Sequence, residues 1–342
     1  MISSGSRTST AGHRMEGAMQ RVWKRGSGDS VRLVAMVVVV AALSACAVDK
    51  PRTAASQPES ASSPEAQDWR AEAMAWRQRR YDRLTEPYGW LSLVGLDFVE
   101  DGRWRIGAGE GADIAMPAGP DHWGELIVDG SRARFEPATN AVRVDGRPGV
   151  AGMLVQPGRD DTVWVQAEDV RFQIIQRNDR LAVRTRWPRA ETRTEFKGLD
   201  YFPYDPDWRV EARIEYHPAG TTMPVGSVLG DITQEPNLGA AVFEYGGETY
   251  RLEAQASRDD DELFFVFADR TTGRETYGAG RMLYAPMPDE NGRTVLDFNR
   301  AYNPPCTFTE FSTCPLPVPE NRLDVRVTAG EKDYAGESGY LK

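Results

Sequence analysis

Residues 209–216, Arg-Val-Glu-Ala-Arg-Ile-Glu-Tyr, alternate without a break: Val210, Ala212, Ile214 and Tyr216 against Arg209, Glu211, Arg213 and Glu215. A period of two sends one set of side chains to a core and the other to water, which defines a half-buried antiparallel strand. Such runs recur along the chain, separated by turn signals. Gly246-Gly247 lies between "AVFEY" and "ETYRLEA" as a tight hairpin, and Asp129-Gly130 and Asp145-Gly146 mark similar turns. "LFFVFAD" at 263–269 is apolar on both faces and is expected as a central, covered strand. Twelve or more strands are expected, with no βαβ alternation, so the fold class is mainly β, an antiparallel sandwich or barrel-like body. The 32 Gly, 22 Pro, 9 Trp, 12 Tyr and 12 Phe fit short strands and turns better than a helical bundle.

One amphipathic helix stands out, over residues 65–86. Trp69, Ala73, Trp76, Arg80 and Leu84 recur at three- and four-residue steps, opposite Arg77, Arg79 and Asp82, and that stripe is expected to dock on the body. Glu86-Pro87 ends it.

Upstream, "LVAMVVVVAALSA" at 33–45 is an apolar run preceded by Arg21, Lys24, Arg25 and Arg32. As a helix it reaches about 20 Å, short of the roughly 30 Å hydrocarbon core, so it reads as the apolar region of an export signal over residues 1–45. Its end, Leu43-Ser44-Ala45-Cys46, resembles the lipobox of bacterial lipoproteins. That resemblance implies a lipidated Cys46 and a membrane partner through the acyl chains. With Ala47 next, it implies a cell-envelope location on the periplasmic face of the outer membrane. Residues 46–67, rich in Ala, Ser and Pro, read as a disordered tether, and a single body follows over 68–342.

A net charge of −10 argues against nucleic acid as a partner, because phosphates call for a basic footprint. Beyond the export signal only His122 and His217 remain, far apart and in no HxxxH or HxH pair, so neither a metal nor a cofactor is expected. No G-x-S-x-G elbow or P-loop occurs, and "GAGEG" at 107–111 is flanked by strand-like sequence.

Residues 100–150 form a turn-rich meander and a possible small β subdomain. There Ile106-Gly107, Asp113-Ile114 and Ser131-Arg132 are reminiscent of forkhead-associated phosphopeptide-binding sandwiches, without the usual Ser-x-x-His and Asn-Gly elements. A phosphopeptide module using Arg132 is one alternative this leaves open.

The chemistry candidates gather late. In "TVLDFNRAYNPPC" at 294–306, Thr294, Leu296 and Phe298 share one strand face, and Val295, Asp297 and Asn299 share the other. Glu275, Tyr277 and Arg281 surround a Gly-rich turn before a neighbouring strand, and antiparallel adjacency would bring the groups together. Two readings follow. In one, Asn299 and Asn303 brace a loop stiffened by Pro304 and Pro305, and Asp297 pairs with Arg281. In the other, Tyr277, Arg281, Asn299, Tyr302 and Asn303 bind a small polar or glycan-like ligand or an envelope partner of a monomeric protein. A metal-independent hydrolase with Glu275 and Asp297 as acid and base is the enzymatic alternative.

"GWLSLVGL" at 89–96, "FKGLDYFPYDPDWRV" at 196–210, "DRTTGRETYGAGRML" at 269–283 and "DFNRAYNPPCTFTEFSTCPLPVPENRL" at 297–323 are similar to the bacterial domain of unknown function family 1684. The resemblance implies one folded unit from about residue 68 and carries no activity with it. Cys306 and Cys314 close a nine-residue loop and, in an oxidising envelope, are expected as a disulfide.

Overall fold

The computed structural model describes residues 64–158 and 161–336, and strands dominate them. The chain divides after Gln67 into two units, the second running Asp68–Lys342. The expected export signal, Cys46 and most of the tether lie outside the described residues. Helix α1 (Pro64–Thr85) begins inside the stretch read as tether. Its expected stripe faces inward: Ala73 and Leu84 are buried, and Leu84 packs with Leu91 and Phe308. Arg77, assigned to the wet face, is instead half-buried, its Nη2 donating to the Phe202 carbonyl at 3.2 Å.

Two sheets form the first lobe. One has the order β3 (Ile114–Ala115), β2 (Gly102–Gly107), β4 (Gly124–Asp129), β5 (Arg132–Pro137), β8 (Gly152–Val155). The other runs β1 (Leu93–Val99), β11 (Arg180–Arg186), β10 (Val170–Arg177), β9 (Val165–Ala167), β6 (Arg143–Val144), β7 (Arg147–Pro148). Their inner faces share one core of Trp123, Leu126, Phe135, Phe172 and Val183. The rings of Phe135 and Phe172 meet edge to face at 5.5 Å across the two sheets. Residues 100–150 therefore do not close on themselves: the apolar face of β2, β4 and β5 is covered by strands from residues 165–186. Both β6–β7 turn residues, Asp145 and Gly146, have positive φ, as a two-residue hairpin with right-handed strand twist requires.

After the short helix α2 (Glu191–Thr194), the second lobe is a single curled sheet. Its order is β17 (Arg281–Pro286), β16 (Glu262–Phe267), β15 (Glu248–Gln255), β14 (Ile232–Tyr245), β12 (Arg209–Tyr216), β18 (Arg293–Asp297), with β13 (Thr222–Gly226) on β14. All its ladders are antiparallel. The turn at Gly246-Gly247 joins β14 to β15 with both φ positive. β16 is buried on both faces, with Leu263, Phe265 and Phe267 in the main core and Phe264 and Val266 in a second cluster. β17 and β18 stand at opposite ends of the sheet order, yet the curl returns them to each other, and Thr294 Oγ1 donates to the Pro286 carbonyl at 2.7 Å. Inside lie Trp208, Phe243, Phe267 and Phe298.

β15 and β16 diverge after one paired position, Gln255 opposite Phe264. The opened ladder is filled by a side chain. Asn321 Nδ2 donates to the carbonyls of Glu253 and Val266, both at 3.0 Å, and Asn321 Oδ1 accepts from the Glu253 amide at 2.7 Å. Residues 298–336 otherwise run over the barrel-like sheet as 3-10 turns and extended chain.

Candidate functional site

Most of the late polar residues lie inside, divided among separate networks. Arg281, at the start of β17, is fully buried. Its Nη2 donates to Asp269 Oδ2 at 2.6 Å and to the Val327 carbonyl at 2.9 Å, and its Nη1 to the carbonyls of Ala329 and Glu331. Asp269 is fixed in turn by the amide and hydroxyl of Thr271. Burial lowers the Arg281 guanidinium's pKa and Asp269 opposes the shift. The expected partner, Asp297, is elsewhere, because it ends β18 and caps the 3-10 turn Phe298–Arg300. Its Oδ1 accepts from the amide and side chain of Asn299, and its Oδ2 lies 3.2 Å from Arg300 Nε in a charged contact rather than an aligned hydrogen bond. Strand alternation holds through Asp297. The turn, not the pleat, then brings Asn299 beside it, where the Asn299 side chain exchanges hydrogen bonds with the backbone of Asp205 at 3.0 and 2.8 Å.

Glu331, Arg80 and Tyr201 complete a second buried network that the sequence did not disclose. Glu331 Oε1 accepts from Arg80 Nε at 3.0 Å and from the Tyr201 hydroxyl at 3.3 Å, while its Oε2 accepts from the Asn303 amide at 2.8 Å. Burial alone would lower the Arg80 pKa, but Glu331 more than offsets it and the net shift is upward. Burial and Glu331 raise Tyr201 well above the usual phenol range. Tyr302 is half-buried under α1, with the Arg80 guanidinium 4.7 Å above its ring. Asn303 donates its side-chain amide to the Lys332 carbonyl at 2.7 Å. Beneath the same helix, Arg77 Nε, the Tyr204 hydroxyl, Asp297 Oδ2 and Arg300 Nε are buried without aligned partners. Buried polar atoms of that kind are ordinarily met by ordered water.

Two other expected members stand apart. Glu275 is on the surface, paired with Arg326 at 2.6 Å, and so answers to a different arginine from Asp297. Tyr277 is buried, its hydroxyl donating to the Cys306 carbonyl at 3.2 Å, and burial lifts it well above the usual phenol range. Cys306 and Cys314 are buried in one cluster with Tyr277, the expected disulfide does not join them in this structure, and the Cys306 amide donates to Cys314 Sγ at 3.1 Å. Hydrogen bonding to Cys314 and then burial push the Cys306 thiol far up. Among the described residues no group of three or more His, Cys, Asp or Glu is placed to hold a metal ion. Ile106 and Ile114, part of the pattern read as phosphopeptide-like, are core residues, and Arg132 is exposed at the β4–β5 turn.

An open concavity of about 550 Å³ lies over the split between β15 and β16. Tyr250 and Arg251 of β15 form one wall, Arg270 follows β16, and Glu320, Arg322 and Asp324 flank Asn321 on the segment that fills the split. Arg270 Nε pairs with Asp324 Oδ1 at 2.6 Å, and Tyr250 stacks on Phe243. Arg251 bridges the exposed Glu215 and the buried Glu253, its Nε donating to Glu253 Oε1 at 3.1 Å. Glu253 Oε2 accepts from His217 Nε2 at 2.8 Å and Asn237 Nδ2 at 2.9 Å. Burial would raise this carboxyl, and its three donors hold it below the usual carboxylate range. The Arg281–Asp269 pair supports the groove from behind: Arg281 holds residues 327–331, and Asp269 adjoins Ala268 and Arg270, whose amides donate to the Asn321 and Val325 carbonyls.

Fold and site together define a mainly antiparallel β protein of two lobes, braced by buried ion pairs and carrying a polar surface groove. Residues 194–332, most of the second lobe, match the family described as "Protein of unknown function (DUF1684)", and the chain belongs to that family. Of the four similar stretches, 89–96 falls outside the matched residues. A solution NMR structure of an uncharacterized protein from Haloarcula marismortui is 36% identical, over 41% of this chain and 78% of that one, with a TM-score of 0.35. No curated protein matches.

Proposed function

We propose that the protein is a lipid-anchored envelope protein that binds a small polar, hydroxyl-rich ligand of glycan type in the groove over the β15–β16 split. The groove itself carries the reading. At about 550 Å³ it has the size of a small-molecule site. It sets the Tyr250 ring among arginine and carboxylate heads, which suits a ligand with an apolar ring face and a hydroxyl rim. The late cluster then serves as scaffold for the groove wall. Titration with β-1,4-linked N-acetylglucosamine oligomers tests this. Saturable binding is expected, weakened at least tenfold by Tyr250→Ala and by Arg322→Ala, the exposed Arg322 variant leaving the thermal midpoint unchanged. Oligomers that do not bind, or that bind both variants as tightly as the wild type, defeat the reading.

The anchor rests on the lipobox-like end at Cys46, and in this reading palmitate labelling is lost in Cys46→Ala. A Cys306–Cys314 disulfide belongs to the same reading. The two buried sulfurs share one small cluster, and closing so short a ring contributes about 2.6 kcal/mol in the chain-entropy account. Alkylation of the unreduced, envelope-derived protein followed by mass spectrometry distinguishes bridged from free thiols.

A further inference from the structure

A second site candidate lies in the first lobe, around two arginines that face each other across a ladder. Arg171 of β10 is directly opposite Arg186 of β11. Like charges in that position destabilise a sheet unless something compensates them. Among the described residues neither arginine forms an ion pair with a carboxylate. Asp169, whose backbone carbonyl accepts the Tyr88 hydroxyl, has its carboxylate taken by Arg189 at 2.9 and 3.0 Å and by the Trp187 indole at 3.2 Å.

What does hold the two guanidinium groups leaves their charge unanswered. Arg186 is 95% buried by its 5% relative exposure, and its Nη1 donates to the carbonyls of Tyr88 and Gly89 at 3.0 and 2.6 Å. Burial, and then the neighbouring Arg171, lower Arg186 to about 10. Arg171 is clasped between two rings, 3.7 Å from the Tyr88 centroid and 4.0 Å from that of Trp164. Ring stacking engages the two faces of a guanidinium, while its N–H donors lie in the plane between them. Arg171 Nε is buried and has no hydrogen-bond partner. Neutral carbonyls and ring faces thus fix the geometry and leave in-plane donors with an uncompensated double charge.

We propose that Arg171 and Arg186, walled by Tyr88 and Trp164, form an oxyanion site that takes a phosphate group. Planar, fixed guanidinium forks suit the oxygens of a phosphate, and the two rings exclude water from the contact. The phosphate could come from a soluble ester or from a phospholipid headgroup, and the test separates these sources.

Inorganic phosphate is titrated calorimetrically into the full folded chain at constant ionic strength, with chloride as control. Saturable binding is expected, together with a thermal midpoint that rises with phosphate and not with chloride. Arg171→Gln is expected to weaken it at least tenfold. Arg171→Lys, which keeps the charge but not the fork, is expected to weaken it less, and Trp164→Leu is a second variant should Arg171→Gln not fold. Co-sedimentation with phosphatidylglycerol vesicles, against phosphatidylcholine vesicles, forms the lipid arm. Arg171-dependent binding to phosphatidylglycerol supports a headgroup, and Arg171-dependent binding to phosphate alone supports a soluble ester. Binding to neither, or binding indifferent to Arg171→Gln and Trp164→Leu, overturns the proposal.

Discussion

Replacing Arg281 by Met removes one side of a buried ion pair and three backbone contacts at once. Asp269 would keep its two bonds from Thr271 but lose the guanidinium paired with it, and the carbonyls of Val327, Ala329 and Glu331 would lose a donor. Leaving one member of a buried pair uncompensated costs about 3–5 kcal/mol. For a body of this size each kcal/mol lowers the thermal midpoint by about 2–4 °C, so calorimetry should record a fall on the order of 10 °C. The double variant Arg281→Met with Asp269→Leu removes both charges and should recover part of that loss, because the penalty lies in the orphaned carboxylate. A single variant that melts within about 2 °C of the wild type, or a double variant no better than the single one, would refute the reasoning.

Three further outcomes follow from the same frame. Asn321→Ala removes three buried hydrogen bonds between β15 and β16, should cost about 3 kcal/mol by urea denaturation, and should speed amide exchange in both strands. Glu253 titrates below its ordinary range in the fold, so its contribution is complete above that range and disappears as pH falls through the lowered value. Stability measured from neutral to acid pH should therefore fall less in Glu253→Gln than in the wild type, and parallel curves would count against the carboxylate. Gly330 has φ +80°, and a Cβ there would sit 2.5 Å from the Ala301 carbonyl oxygen and 2.8 Å from that of Phe298. Gly330→Ala should cost on the order of 3 kcal/mol by the same measurement.

Local signals were legible where the physics is local. The alternation at 209–216 places Val210, Ala212 and Ile214 in the core, the two-sided run at 263–267 is the covered β16, and Gly246-Gly247 is the hairpin turn. The docking stripe of α1 follows from helical spacing in the same way, although Arg77 shows that an arginine can turn inward when a carbonyl and a ring receive it. Partners distant in sequence were not legible. Glu331 meets Arg80 across 251 residues, and Asn321 meets Glu253 and Val266 across 68 and 55. Nothing in the flanking residues marks either as the filler of a gap. Arg281 pairs with Asp269 and not with the expected Asp297, because both acids stand at or just past strand ends and only the curl of the sheet decides which one it meets. The groove was invisible for a related reason: it exists because β15 and β16 separate, and no residue in either strand announces the separation.

Native-state hydrogen exchange at two backbone amides bears most directly on whether the late polar residues are frame or moving pocket. The Asn303 amide donates to Glu331 Oε2 and the Glu253 amide to Asn321 Oδ1. If these side chains are the frame, both amides exchange only when the whole second lobe unfolds, with the free energy given by denaturant. Exchange at either amide through a local opening of much lower free energy would contradict that assignment and return residues 297–303 to the role of a mobile, ligand-lining loop.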